Sequence, residues 1–412
     1  MNARRKKPQQ LKWAIVLFGF MALSMAFSTR AALSLMMPVW QSELGWSASF
    51  VSSVGAAALI VMAIIAPVAG RLLDRKGPRF TLSLGLGAVT TSCFLIASTS
   101  SKLVFAIAFG GIGAIGFGIV AVHVVSSAVI YSFDKHQGLA TGIASSGSTG
   151  GQFIVVPLLA GLLTFASWRW SFTGLGIVCL ALLPCILYFM PRGIIRNGDA
   201  AAATTEAVSV GQEIRFMLGK PAFHILFWSF LICGFTTAGV IETHFLPFAA
   251  YCGFSPIPSA TAYGVLSAVN LCGMILAGWL TDRINRPLLL AAIYLLRALS
   301  FVLLANVPGA GIETLFLFVV FFGLVDYATV PVTASLMASE VGINVLGLGM
   351  GLVAAGHALG GAMGAAFGGY VFSSSGNYGL VWTSSLWLAV GAGLMVLALI
   401  KSPTKGADAR PS

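Results

Sequence analysis

Seven ionisable residues lie inside long apolar stretches of this chain: Arg30, His123, Glu242, His244, Arg297, Asp326 and His357. Water does not reach such positions freely, so each is costly and each is a functional candidate by default. Arg30 offers a permanent charge and a bidentate fork, the natural receptor for a carboxylate. Glu242 and His244 could hold a proton beside it, and Glu242 could instead pair with Arg30 as a structural ion pair. Arg297 lies about nine residues into its stretch and Asp326 about 13 into the next, which puts both near mid-depth. Pairing is the economical account of two opposite charges at that depth. Direct participation of Arg297 and Asp326 in proton coupling is the other reading. Asn270, Tyr327 and His357 could shape a pocket. A lone histidine on an apolar helix is as readily a packing residue, which holds for His123 and His357. No His/Cys/carboxylate spacing suits a metal, and no nucleophile and base cluster together. The glycine-rich runs lack the Lys-Ser/Thr of a phosphate loop. Neither a cofactor nor an enzymatic reaction is expected.

The elements that must hold these groups follow from composition. Of 412 residues, 58% are hydrophobic and only 8% charged, where a soluble domain carries about 25% charged residues. A soluble enzyme, a disordered chain and a β-barrel with alternating strands are all excluded. Twelve membrane helices of about 20 residues need roughly 240 apolar residues, close to what is present. Polar breaks mark twelve spans, roughly 13–38, 48–70, 79–98, 103–131, 138–163, 170–190, 222–250, 260–280, 288–306, 313–338, 343–372 and 379–400. The six cysteines fall in or beside these spans and read as small packing residues.

The net charge of +11 would suggest a polyanionic partner in a soluble protein. Sorted by loop it says something else. Nineteen of the 23 Lys and Arg fall at the two termini and in the 2–3, 4–5, 6–7 and 8–9 loops; only Lys102 and Arg169 face the other side. That asymmetry predicts both termini in the cytoplasm and an even number of helices, and it removes the case for nucleic acid. Residues 191–221 form the one long polar connection, with a short amphipathic stretch at Val208–Leu218. It separates a six-helix half at 1–190 from another at 222–412.

The halves repeat at an offset of about 208 residues. Gly45-Trp46-Ser47 matches Gly253-Phe254-Ser255, and Gly70-Arg71-Leu72-Leu73-Asp74-Arg75 matches Gly278-Trp279-Leu280-Thr281-Asp282-Arg283. Glycines of the fifth span, among them Gly142 and Gly151, mirror Gly351 and Gly360 of the eleventh, and small residues let helices approach and slide. Duplication of six helices is a transporter trait.

The segment Gly70–Arg79, G-R-L-L-D-R-K-G-P-R, resembles the signature loop of the major facilitator superfamily. That resemblance implies an all-α membrane protein: twelve transmembrane helices in two pseudo-symmetric six-helix bundles, rocking about a cavity lined by the first, fourth, seventh and tenth. The motif has its own physical logic. Gly70 and Gly278 permit close helix contact and Gly77 a tight turn. Asp74 and Asp282 can accept hydrogen bonds from a helix N-terminus. Arg75, Arg79 and Arg283 can pair across the gap between bundles.

Further segments are similar to bacterial monocarboxylate/oxalate-porter-like members: Thr29-Arg30, Thr243-His244-Phe245-Leu246-Pro247, Tyr294-Leu295-Leu296-Arg297-Ala298 and Gly323-Leu324-Val325-Asp326-Tyr327. They imply transport of a small organic anion, a mono- or aromatic carboxylate, together with a proton. The inner membrane is the expected location and a monomer the expected working unit. Residues 260–280 lack the Asp/Arg pair of eukaryotic monocarboxylate porters, and His357 stands near the place of the oxalate porter's lysine. Drug or metabolite efflux by proton antiport, and organic anion exchange, are the alternatives. A drug antiporter's usual Arg early in the fourth helix is absent from 103–118, and Gly150-Gly151 precede Pro157 in the reverse of the expected order.

Overall fold

A computed structural model describes residues 9–191 and 209–401. Most of the connection between the halves, including Ala200–Thr205, lies outside the described residues, as do the basic residues of the extreme termini. Among the described residues, ten continuous apolar helical stretches are long enough to cross a membrane. Two of them are double crossings. Ala48–Ser98 has 51 residues; straight, it would measure about 75 Å, more than twice a bilayer's apolar core. It turns at Gly77, whose φ of 79° is a conformation that favours glycine, with Pro78 starting the next helix. The stretch Ile312–Ser375 reverses likewise around Gly342, at φ 141°. Twelve crossings result.

We number them α1 (Gln9–Leu44), α2 and α3 (48–76 and 78–98), α4 (Lys102–Ser132), α5 (Gln137–Leu162), α6 (Trp168–Phe189), α7 (Pro221–Tyr251), α8 (Pro256–Thr281), α9 (Arg286–Ala305), α10 (312–341), α11 (Leu346–Ser375) and α12 (Gly379–Leu397). The repeat has a visible cause. Gly45 and Gly253 take left-handed conformations, φ 62° and 84°, just after α1 and α7. Ser47 then caps α2 by accepting from the Phe50 N–H at 3.2 Å, and Ser255 occupies the same position before α8. The amphipathic stretch folds as a helix, Val210–Leu218, closed by a reciprocal Ser209–Gln212 capping box.

Each half has its own apolar core. Trp40, Phe105, Trp168 and Phe172 fill one end of the first; Phe248, Phe301, Phe318 and Trp382 fill that end of the second. Cys93, Cys179 and Cys233 are buried, as expected of packing residues. Cys252 is half-buried and packs against the core of the second half; Cys185 is half-buried and Cys272 exposed, so core packing does not account for Cys272.

α4 and α10 are both interrupted at matching depth. α4 breaks at Val120–Ala121, between helices Ala114–Ile119 and Val122–Ser132. α10 breaks at Asp326–Ala328, between Ile312–Val325 and Thr329–Leu336. Pro331 contributes to the second break, because it has no N–H for the Tyr327 carbonyl four residues earlier. The Val330 N–H takes that carbonyl instead, at 3.0 Å.

Candidate functional site

The two halves meet at the end that carries the α2–α3 and α8–α9 turns. There α2 lies against α11, and α5 against α8, with backbones in contact. A β-carbon on Gly70 would overlap the Gly347 carbonyl, and one on Gly278 the Gly138 carbonyl. Two carboxylates fasten the contact. Asp74 accepts from the N–H groups of Gly347 and Leu348 at 2.9 and 2.8 Å, at the start of α11. Asp282 accepts from those of Gly138 and Leu139 at 2.8 and 2.9 Å, at the start of α5. A helix N-terminus presents unpaired N–H groups and positive potential, so each aspartate satisfies both. Tyr131 adds a third donor to Asp74, at 2.5 Å.

Two of the motif arginines stay within their own half. Arg79 donates to the Met190 and Tyr188 carbonyls at the end of α6, within its own half. Arg283 stays on its own helix, 3.9 Å over the Trp279 ring. Arg71 pairs with Glu213 of the amphipathic helix at 3.0 Å.

Beyond this closed end a cleft opens between the halves. Its lining includes Phe27 and Arg30 of α1, Ser148, Thr149 and Gln152 of α5, and Ile241 and Glu242 of α7; Tyr263, Leu266, Ser267 and Asn270 come from α8, and Asp326 and Tyr327 from α10. Five predicted residues therefore converge: Arg30, Glu242, Asn270, Asp326 and Tyr327. α4, expected on the wall, supplies none of these residues; α5 and α8 do. The polar run Ser145–Thr149 with Gln152, inside an apolar helix, was the available signal for the α5 wall. The glycines of the same run point as readily to helix packing. Tyr263 carries no comparable signal.

Arg30 is half-buried, with its guanidinium carbon 4.5 Å from the centre of the Phe27 ring. The ring covers one face of the fork and leaves its donors free. The alternative pair with Glu242 does not form: among the described residues Arg30 makes no ion pair. Glu242 is exposed to the cleft and accepts from the Tyr327 hydroxyl at 2.7 Å. Asn270 is buried, and both ends of its amide are engaged at the α10 break. Its Nδ2 donates to Asp326 Oδ2 at 3.2 Å, and its Oδ1 accepts from the Tyr327 N–H at 3.2 Å. It orients the two α10 residues more than it offers free groups of its own.

Arg297 departs most from expectation. It is fully buried, and its side chain makes no ion pair with the Asp326 carboxylate. It grips the broken backbone instead. Its Nη2 donates to the Val325 carbonyl at 2.8 Å and also to the Asp326 carbonyl. Its Nη1 donates to Cys233 Sγ at 2.9 Å and Thr236 Oγ1 at 3.3 Å on α7. A helix break leaves carbonyls without N–H partners, and a five-donor cation is well suited to cover them.

The histidines lie outside this cleft. His244 is buried, with Nε2 3.0 Å from the Ala365 carbonyl of α11. His357 packs its ring against Phe230, centroids 5.1 Å apart. His123 sits 3.2 Å from the Ala66 carbonyl. Neither His357 as a pocket residue nor His244 as a neighbour of Arg30 agrees with this geometry. Among the described residues no group of His, Cys, Asp and Glu could hold a metal ion.

Comparison with known proteins places this arrangement. The family model described as Major Facilitator Superfamily matches residues 16–338 and 272–412. The chain is 26% identical over 382 residues to the uncharacterized MFS-type transporter YcxA of Bacillus subtilis (strain 168), covering 90% of this chain and 91% of that one. It is 24% identical over 390 residues to monocarboxylate transporter 13 of Bos taurus, covering 93% and 88%. Among solved structures, the proton:xylose symporter XylE bound to 6-bromo-6-deoxy-D-glucose superposes with a TM-score of 0.75 at 17% identity, covering 95% of this chain and 96% of that one. Family and fold are those of membrane transporters, not of enzymes. With its duplicated six-helix halves and paired aspartate caps, the chain belongs to the major facilitator superfamily.

Proposed function

We propose that this protein is a secondary active transporter of a small organic anion, a mono- or aromatic carboxylate, that works by alternating access with a proton. The observation that carries the reading is Arg30: a permanent cation on the cleft wall, backed by a ring and free of any acid partner among the described residues. A carboxylate would take both arms of its fork. Leu266, Ile241 and the tyrosine rings would receive an apolar body, while Gln152, Ser148 and Ser267 would meet polar substituents. Glu242, hydrogen-bonded to Tyr327, and Asp326, held by Asn270, are the groups in the cleft that could carry the proton. His244 and Arg297 would then act indirectly. Monocarboxylate transporters among the relatives support the substrate class.

The aspartate-capped end would be the cytoplasmic gate, closed here, with both termini in the cytoplasm and the cleft open outward. The positive charge of its loops supports that orientation in the inner membrane. A monomer holds both halves of the cleft and would suffice. Two carboxyl groups against one guanidinium favour a second reading, exchange of a cationic compound for protons.

Purified protein in lightly buffered liposomes separates the two. Carboxylate uptake that turns the external medium alkaline, and that Arg30→Ala lowers by about tenfold or more, supports the first reading. Uptake at constant pH points to anion exchange. Transport of a cationic probe, insensitive to Arg30→Ala, would replace it with the second.

A further inference from the structure

The α10 break leaves two buried groups without partners. Arg297 Nε and Asp326 Oδ1 are each shielded from solvent and each lack a hydrogen-bond partner among the described residues. They are the base and the acid of one site, where the Thr237 hydroxyl also acts on the Asp326 carboxyl group. A buried polar group without its full set of partners is costly, so such an arrangement persists only where another requirement overrides it.

The other requirement is visible. The carbonyls of Val325 and Asp326 would, in an unbroken helix, accept from the N–H groups of Thr329 and Val330. Here the Val330 N–H goes to Tyr327, and Arg297 covers the two carbonyls from behind α10. From the cleft side, Asn270 holds the Asp326 carboxylate away from the arginine and fixes the Tyr327 N–H. The equivalent break in α4 has no such device. Val120 donates to the Gly116 carbonyl there, the Ala121 carbonyl accepts from Val124 and Val125, and the tight contacts of α3 are the apolar side chains of Ile119 and Val120 against Gly85. These bonds at the first half's break are local, whereas the second half's break is held by a charged side chain.

We infer that Arg297 is a positioning residue that exchanges partners during the transport cycle. In this outward-open state it holds the α10 carbonyls. When the outer half closes and the backbone bonds across 325–330 re-form, the guanidinium is released to the Asp326 carboxylate. The break closes because one set of hydrogen bonds replaces another of similar strength, and the ion pair that mid-membrane depth favours belongs to the second state. The inference rests on alternating access but not on the identity of the substrate.

Spin labels on the outer ends of α1 and α7, read by double electron–electron resonance in substrate-free protein in liposomes, test it. Wild type should populate both a long and a short distance. Arg297→Gln keeps donors for the carbonyls but cannot form the ion pair, so it should lose at least tenfold of the short-distance population. Asp326→Asn keeps an acceptor for Asn270 and should produce the same shift, with the double variant no worse than either single. A structural role alone predicts a lower melting temperature for Arg297→Gln without a change in the ratio of distances. Unchanged distances in both variants, or additive shifts in the double, overturn the inference. If Arg297→Gln does not fold, Asp326→Asn decides by the same criterion. A wild type fixed at one distance would instead count against alternating access, and the inference would fall with it.

Discussion

Arg30 and Arg297 are the same side chain placed in two apolar stretches of one chain, and the fold treats them in opposite ways. Arg297 is completely buried and donates to two carbonyls, a thiol and a hydroxyl. Arg30 is half-buried, rests on Phe27 and faces an open cleft with no ion pair among the described residues. A cation most of whose donors are consumed by its own protein serves that protein's shape. One whose donors point into solvent-accessible space is available to something else. The contrast teaches that depth and residue type raise a functional hypothesis inside a membrane, while the partner list decides which kind of function it is.

The contrast can be broken by experiment. The largest effect on stability is expected from Arg297→Ala, which leaves the Val325 and Asp326 carbonyls buried and unpaired. A loss of about 3–5 kcal/mol is the usual scale for breaking a buried charged network, seen as a lower melting temperature and a poor yield of monodisperse protein. For Arg30→Ala the expectation is reversed. Transport of a carboxylate should fall about 10–150-fold, the worth of a charged hydrogen bond, while melting stays within the ±0.5 kcal/mol range of exposed substitutions. If both alanine variants melted alike, the distinction between the two arginines would be wrong.

Smaller changes sharpen it. Arg30→Lys keeps the charge but loses the planar fork, so KM should rise by about tenfold with little change in maximal rate. An unaltered KM would mean that Arg30 supplies only a field. Tyr327→Phe removes the hydroxyl that Glu242 accepts, a contact worth about 0.5–1.5 kcal/mol. Transport should fall by roughly 2–12-fold in initial uptake rate. No change at all would separate the Glu242–Tyr327 contact from the transport cycle.

Much of this architecture is legible in the residues. Gly45-Trp46-Ser47 and its repeat are legible as matching segments, and each proves to hold a left-handed glycine after a helix, with a serine side-chain cap in the first half. Asp74 and Asp282 read as helix caps because a short acidic side chain beside a glycine-flanked turn has few other uses in a membrane protein. That each caps a helix of the opposite half is not in the motif; it follows from how the halves close. Arg30, Glu242 and Asp326 were visible as charges in apolar surroundings. Their partners were not. Asp326 looks like the mate of Arg297 by depth, and Glu242 the mate of Arg30 by symmetry, yet Asn270 and Tyr327 take those places. Periodicity locates a residue along a helix but does not say which way a neighbouring helix turns its polar face.

The sequence by itself determined the class of solvent, the number of crossings, the duplication and the distribution of charge between the two sides. Those are properties of composition and local order, set by the free energy of moving each segment from water into lipid. The tertiary structure alone decided which buried cation is satisfied and which is free. Only there does the Pro331-assisted break in α10 expose carbonyls to Arg297, and only there do α1, α5, α7, α8 and α10 come together around Arg30. Hydrogen bonds act over about 3 Å, and contacts that short between residues tens or hundreds of positions apart exist only after the helices have packed.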